Sequence, residues 1–369
     1  MREVRKILIF RNGRIGDVLM VTGVATFLHK AFPGAQIDLA VPEWVSGVTG
    51  SQEGFHRVIP FEYTFSWFKR LRISWRLRRH RYDLIIPLEQ ANRPTKSAFF
   101  WGGRFRFSFS NKYSALMTAH LRYVTETHET VNSLRLLQLA LAYMHKAGYR
   151  IENYDACMAH NFLPPVLHFG TEEKTTGLAL LSDFGIDAGR PFIVLHPFNS
   201  LDAPLRRWPL KNYETLARLL TSLGFQVLFS GYGPEIAAVE PIMENLRNTP
   251  ETVSLTRRNI SARERGAILS MAQGLVVSDG SPMHLAVAVG VPLIALFGFS
   301  AANRTGPAPG NSPFMVITAS YPCSPCMYQA SREREKCEQQ GFGDCMTAIG
   351  PEKVKDSLLS LMAASARQA

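Results

Sequence analysis

No apolar stretch of this 369-residue chain is long enough to cross a bilayer as a helix. The longest, Met283 to Phe297, is interrupted by His284, Gly290 and Pro292 and falls short of the ~18–20 residues a span needs. Near the N-terminus only Ile7–Phe10 separates two basic clusters, too little for the ~7–15-residue apolar region of a secretory signal, so a cytosolic protein is expected. Cysteine is scarce, with five residues, and the length excludes a small disulfide-stapled scaffold. Glycine and proline follow no collagen-like or low-complexity pattern. Acidic residues are short in one half only. Residues 1–165 hold 12 Asp/Glu against 23 Lys/Arg, whereas residues 166–369 hold 18 of each, so the entire net charge of +11 sits in the first half. That half is expected to meet something anionic, and the second to do another job.

What is present, 46% apolar and 19% charged residues, suits a folded protein of two or three domains. Lys6–Phe10 reads as a buried strand, Arg11 to Asp17 as a loop, and Val18, Val21, Ala25, Leu28 and Phe32 as the apolar face of one helix ending at Pro33-Gly34. Gln36–Val41 follows as a strand, so the chain opens with a βαβ unit and predicts a parallel sheet. Tyr82–Leu88 repeats the strand signal. The grammar restarts at Phe192–His196, with a helix over about Leu210–Leu223 and strands at Gln226–Phe229, Gly274–Ser278 and Pro292–Phe297. Pro164-Pro165, where the charge balance shifts, marks the expected boundary between domains 1–165 and 166–369, followed by a lead-in helix. Glu352 to Ala366 carries the spacing of a docked terminal helix.

Three turns carry candidate chemistry. Asp17 lies at a strand-to-helix turn with Gly13 and Gly16, at the carboxyl end of the first strand, where open α/β sheets place ligands. A carboxylate there can accept a proton; the plainer reading is a helix N-cap. The spacing is not the G-x-G-x-x-G of dinucleotide binding. Arg206-Arg207-Trp208-Pro209, shortly after His196-Pro197, sets two guanidiniums before a helix, suited to a diphosphate or simply a solvated basic turn. Val276–Ser278, Asp279-Gly280-Ser281 and Pro282-Met283-His284 read as strand, turn and helix start, where Asp279 alternatively caps the helix and His284 is a core histidine.

Gly16-Asp17-Val18-Leu19, His196-Pro197, Arg206-Arg207-Trp208-Pro209, the block Asp279 to Ala286 and Leu296-Phe297-Gly298 stand in an order that resembles glycosyltransferase family 9, which contains the ADP-heptose:lipopolysaccharide heptosyltransferases. The likeness runs from Ile7 to about Val354. It departs at Asp279-Gly280-Ser281, where the family commonly has Asp-Thr-Gly, and at His196-Pro197-Phe198, where it has His-Pro-Gly. The resemblance implies an α/β protein of GT-B fold, two Rossmann-like domains with parallel sheets facing a central cleft, the first taking the acceptor and the second the nucleotide sugar. It implies an inverting transfer of heptose from ADP-heptose to a lipopolysaccharide core or related anionic glycan, requiring no cofactor. Asp17 is then the general base. His196, Arg206, Arg207, Glu235, Asp279, Gly280, Ser281 and His284 are the donor-binding candidates, and Arg14, Gly16, Lys69, Arg76, Arg78 and Arg79 the acceptor-binding ones. A GT-B nucleotide-sugar epimerase or hydrolase and a basic membrane-associated binding protein are the alternatives.

Residues 67–81 carry seven Lys/Arg interleaved with Trp67, Phe68, Leu71, Ile73, Trp75 and Leu77. This predicts contact with an anionic core or membrane surface on the inner face of the inner membrane, the alternative being ordinary packing with the basic face in water. No nucleic-acid module accompanies the charge. Cys323, Cys326, Cys337 and Cys345 form C-x2-C-x10-C-x7-C, which admits a structural zinc site, reduced thiols or a disulfide; Cys157 reads as a lone buried thiol.

Overall fold

The computed structural model describes the chain except residues 1, 51–52, 199–203, 232–235, 250, 256–259, 311, 320, 328–335, 339–342 and 368–369, together with the side chains of 236–238. It comprises two units, Met1–His168 and Phe169–Ala369.

The first unit runs β1 (Lys6–Phe10), α1 (Ile15–Leu19), α2 (Gly23–Ala31), β2 (Gln36–Val41), β3 (Arg57–Pro60), α3 (Trp67–Arg79), β4 (Leu84–Pro87), α4 (Asn92–Trp101), β5 (Phe105–Phe109), β6 (Ala119–Leu121), α5 (Glu129–Lys146) and α6 (Tyr154–Met158). Its strands form one parallel sheet in the order β3-β2-β1-β4-β5-β6. β1 lies between β2 and β4, Ile9 opposite Leu39 and Ile86, and Ile7 to Phe10 are fully buried. That explains the unbroken apolar run: a strand covered on both faces has no polar side to show. Phe10 meets Phe61 and Trp101 edge-on, at centroid separations of 5.7 and 5.2 Å, under a core shared by α3 and α4.

The single helix expected over Val18–Phe32 is two. Thr22 ends the first by donating its hydroxyl to the Leu19 carbonyl at 2.8 Å, and the same oxygen accepts the Val166 amide at 2.8 Å. A Cβ at Gly23 would meet the Pro164 carbonyl oxygen at 2.1 Å, so the break admits the chain leaving the unit. β3, β5 and β6 carried no clear sequence signal; β3 and β6 have no fully buried residue, and only the second half of β5 is buried.

The second unit runs α7 (Thr171–Asp183), β7 (Phe192–His196), α8 (Leu210–Ser222), β8 (Gln226–Phe229), α9 (Ile236–Asn245), β9 (Thr252–Ser254), α10 (Ala262–Leu269), β10 (Gly274–Ser278), α11 (Ser281–Val289), β11 (Leu293–Phe297), α12 (Ala302–Thr305), β12 (Phe314–Thr318), α13 (Asp344–Thr347) and α14 (Pro351–Ala366). Its sheet is also parallel, ordered β12-β11-β10-β7-β8-β9. α8 and α14 pack in one core through Tyr213, Leu216, Val354 and Leu358, joined by Trp208 just before α8, whose indole donates to the Ile349 carbonyl at 2.8 Å. Both sheets are doubly wound, the α/β class expected from the βαβ grammar. No helix among the described residues is long and apolar enough to cross a membrane.

Candidate active site

Strand order locates the sites before any side chain is considered. In the first unit the chain proceeds from β1 outward to β3, then returns to lay β4 on the other side of β1. Neighbouring loops that depart in opposite directions leave a crevice at the carboxyl ends of such strands. Arg11 to Asp17 follows β1 there, and Leu88-Glu89 follows β4.

Asp17 is the third residue of α1, not its N-cap, which is Arg14. Its Oδ2 accepts the Arg14 amide at 2.8 Å, and its Oδ1 accepts Arg11 Nη2 at 2.9 Å. Gly13, at φ +152°, is required for this: a Cβ there would lie 2.6 Å from both Cβ and Oδ2 of Asp17. The Arg11 guanidinium is buried, donates Nη1 to the Leu88 carbonyl and lies 3.7 Å from Glu129 Oε2. Burial works against its charge, but Asp17, Glu129 and Glu89 together hold its pKa above the ordinary value. Glu129 also accepts the Tyr123 hydroxyl. Burial pushes the Glu89 carboxyl up to about 7, against the pull of Arg11 and the Asn12 amide and with a further push from Asp17. Three carboxyl groups thus share one guanidinium, and the Asp17 side chain is about a third exposed. Gly16 is buried inside α1 and Arg14 is exposed at its start.

In the second unit the corresponding reversal lies between β7 and β10. Arg206, in a single 3-10 turn over Pro204–Arg206, places Nη1 3.1 Å from Asp279 Oδ2, the carboxylate being 5% exposed. Asp279 does not cap α11; Gly280 is the N-cap, and Ser281 and Pro282 open the helix. Proline there forfeits no hydrogen bond, because the first amides of a helix have no partner within it. The start of α11 therefore offers amide donors next to an anchored guanidinium, with half-buried Arg207 adjoining Arg206. His196 is buried; burial and then Arg265 drive its pKa down to about 3, so its ring is neutral and lends no charge to a phosphate. Its carbonyl accepts the Tyr213 hydroxyl at 3.2 Å. His284 is likewise buried within α11. Glu235 lies outside the described residues.

A carboxylate with two positioned partners in one doubly wound unit, and a guanidinium beside a helix start in another, is an arrangement suited to activating a hydroxyl and holding a diphosphate. The family model for glycosyltransferase family 9 (heptosyltransferase) matches residues 70–337. The chain belongs to this family and is a glycosyltransferase. It is 25% identical to lipopolysaccharide heptosyltransferase 2 of Salmonella typhimurium over 97% of this chain and 98% of that one. Its fold matches the structure of Escherichia coli ADP-heptose lps heptosyltransferase II at a TM-score of 0.73 and 22% identity, covering 98% of this chain and 99% of that. A family 9 glycosyltransferase from Veillonella parvula matches at 0.76 and 18% identity, over 98% of both chains.

The basic stretch after β3 is helix α3, and it does not pack as a core helix. Trp67, Phe68, Leu71 and Trp75 are 57–66% exposed, leaving Leu77 as its only fully buried side chain. Its cations are unequal. Lys69 pairs with Glu43 at 3.1 Å, Arg78 donates to the Phe100 carbonyl at 3.1 Å, and Arg79 stacks 4.4 Å over Trp75, while Arg76 is exposed.

The cysteine spacing does not produce a ligand set: among the described residues no three His, Cys, Asp or Glu side chains are grouped to hold a metal. Cys323, Cys326, Cys337 and Cys345 form no disulfide, and they lie close enough that the other three, after burial, help push Cys345 up to about 11. Cys345 is claimed by the apolar core beside Met346 and Trp208, which is why spacing alone misleads. Cys157 is a buried thiol.

Arg11, Glu89, Glu129 and Arg265 escaped the sequence reading. Arg11 and Glu89 had a usable signal, each being charged and within two residues of a buried strand's carboxyl end; Glu129 and Arg265 had none.

Proposed function

We propose that this glycosyltransferase moves a heptose from ADP-heptose onto a hydroxyl of a lipopolysaccharide core or related anionic glycan, with inversion and without a metal. The observation that carries the reading is the Asp17 carboxylate, held by Arg11 and the Arg14 amide at the reversal of the first sheet. As the acceptor oxygen attacks the anomeric carbon, its proton passes to Asp17, the bond from that carbon to the diphosphate breaks, and ADP departs with the electron pair. Arg206, anchored by Asp279, and Arg207 would meet the developing charge together with the amides opening α11. Neutral, buried His196 and His284 would shape that site rather than charge it. The relatives named lipopolysaccharide heptosyltransferase, matched over nearly their whole lengths, support the sugar and the acceptor class.

α3 supports a second element of the proposal, attachment at the periphery of an anionic membrane, because exposed tryptophans flanked by arginines suit the headgroup boundary. The decisive experiment is nucleotide release from ADP-, UDP- and GDP-sugars with and without core oligosaccharide, repeated in EDTA. Acceptor-dependent release from ADP-heptose alone is expected; release without acceptor would indicate a hydrolase instead.

A further inference from the structure

Two thiol-bearing segments of the second unit converge on Gly298, the residue that follows β11. A Cβ at Gly298 would lie 2.5 Å from Cys345 Sγ and 2.8 Å from Met346 Sδ, so α13 presses directly on this backbone. On the same residue, the hydroxyl of Ser324, which stands between Cys323 and Cys326, donates to the Gly298 carbonyl at 2.6 Å. The turn then continues along the strand's end, where the Met327 amide donates to the Phe299 carbonyl at 3.0 Å. The upward push that the other three thiols exert on Cys345 agrees with four sulfurs gathered here.

The same turn reaches a cation of the candidate donor site. Arg206 holds Asp279 through Nη1 at 3.1 Å and donates Nη2 to the Met327 thioether at 3.6 Å. Next to Arg206, the Leu205 carbonyl would lie 3.2 Å from a Cβ at Gly343, two residues before Cys345. The guanidinium is thus held at one end by a carboxylate and at the other by a turn whose shape depends on two cysteines. A thioether is a weak acceptor, so a small displacement of Met327 ends that contact.

The thiols differ in access. Cys323 is half-buried, whereas Cys326, Cys337 and Cys345 are buried. A dissolved reagent therefore meets Cys323 first, and its nearest partner along the chain is Cys326, in the C-x2-C spacing that suits reversible disulfide chemistry. Exchange with a small disulfide takes two displacements. Cys323, having lost its proton, attacks one sulfur and expels the first thiolate; Cys326, losing its own proton, attacks Cys323 Sγ of the mixed disulfide and expels the second. Two protein thiols become one S–S bond, and the small disulfide leaves as two thiols carrying both electrons and both protons.

We propose that Cys323 and Cys326 are a reversible dithiol switch, whose oxidation by a low-molecular-weight disulfide reshapes their turn, withdraws Met327 from Arg206 and loosens the hold on a diphosphate. Drawing two sulfurs to the ~2.05 Å of a disulfide moves the backbone that carries Ser324 and Met327. The last step rests on the reading of Arg206 as a diphosphate ligand; the disulfide and the movement of Met327 do not.

The full chain, labelled with ¹³C at its methionine methyl groups and equilibrated with reduced and oxidised glutathione in set ratios, tests this. Peptide mapping is expected to find a Cys323–Cys326 disulfide, the Met327 methyl resonance, identified with Met327→Leu, to move, and ADP to bind at least five-fold more weakly. Dithiothreitol should reverse all three. Cys323→Ser, and separately Cys326→Ala, should bind ADP as the reduced wild type does and ignore oxidised glutathione. A disulfide joining any other pair, none at all in excess oxidised glutathione, or an unmoved Met327 methyl overturns the proposal. So does an oxidised protein that binds ADP like the reduced one while Arg206→Ala weakens it. Should the methyl respond but neither form bind ADP, the thiol control of Met327 stands and the diphosphate reading of Arg206 falls.

Discussion

Arg11 and Asp17, six residues apart, meet across the turn that follows β1, with Nη2 2.9 Å from Oδ1. The guanidinium is nearly sealed from water and also reaches Glu129 and the Leu88 carbonyl, so it fixes the Asp17 carboxylate between two sheet strands and a helix. A base held this way loses little orientational freedom when its substrate arrives.

Asp17→Asn should lower kcat by ~10²–10⁴-fold, the usual contribution of a general base, and leave ADP affinity and the fold unchanged. Asparagine keeps the size and can still accept from the Arg14 amide; it gives up the bond from Arg11, whose guanidinium keeps Glu129 and the Leu88 carbonyl. Steady-state kinetics with calorimetry of ADP binding check it; turnover near the wild-type level would remove Asp17 from this role.

Arg11→Met acts differently, because it strands the carboxyl groups that the guanidinium served. Removing one partner of a buried ion pair costs about 3–5 kcal/mol. Urea denaturation should show a loss of that order, and a smaller one for Asp17→Asn, because Asp17 is partly exposed and Arg11 then keeps Glu129.

Glu89 gives stability a pH dependence of known sign. Its folded pKa of about 7 lies above the ordinary 4.5, so the folded state holds the proton more tightly than the unfolded one. The associated stability is fully present below about pH 4.5 and is lost as pH rises through about 7. Glu89→Gln should flatten that fall, measured as the urea midpoint between pH 5 and 8; an unchanged slope would show that Glu89 titrates as an ordinary carboxylate.

Arg206→Ala should weaken ADP and ADP-heptose alike, since both carry the diphosphate. A charge-assisted bond is worth ~1.5–3 kcal/mol, or about 10- to 150-fold in Kd. Asp279→Asn, which frees the guanidinium from its 3.1 Å anchor, should also weaken ADP, and the double variant should lose less than the two separate losses combined. Strict additivity in calorimetry would mean the pair is not a unit.

On anionic vesicles, the free and stacked cations of α3 should matter more than those already engaged. Neutralising Arg72, Arg76 and Arg79 should abolish sedimentation with the vesicles at physiological salt, each charge being worth about 1 kcal/mol near such a surface. Trp67 and Trp75 fluorescence should shift to the blue on binding in the wild type. Equal sedimentation of both proteins at low and high salt would leave α3 a solvated face.

The apolar runs of β1, β7, β10 and β11 were legible in the sequence because strands covered on both faces leave no polar residue to blur them. Turn chemistry was legible for the same local reason: Pro33-Gly34 ends a helix and Pro282 begins one wherever they stand. The charge divide and the Asp17 and Asp279 blocks needed no structure either. Edge strands such as β3 and β6, half-exposed and three or four residues long, carried too little apolar pattern to register. What the tertiary structure alone decided is which distant groups share a site. Strand order brings Leu88-Glu89 beside the turn after β1, although 77 residues separate Arg11 from Leu88, and packing brings Arg206 to Asp279. It also decided that the tryptophans of α3 face water and that Cys345 joins an apolar core instead of a metal set. Local periodicity reports whether a segment is covered, but the identity of what covers it depends on crossovers and packing that no short window contains.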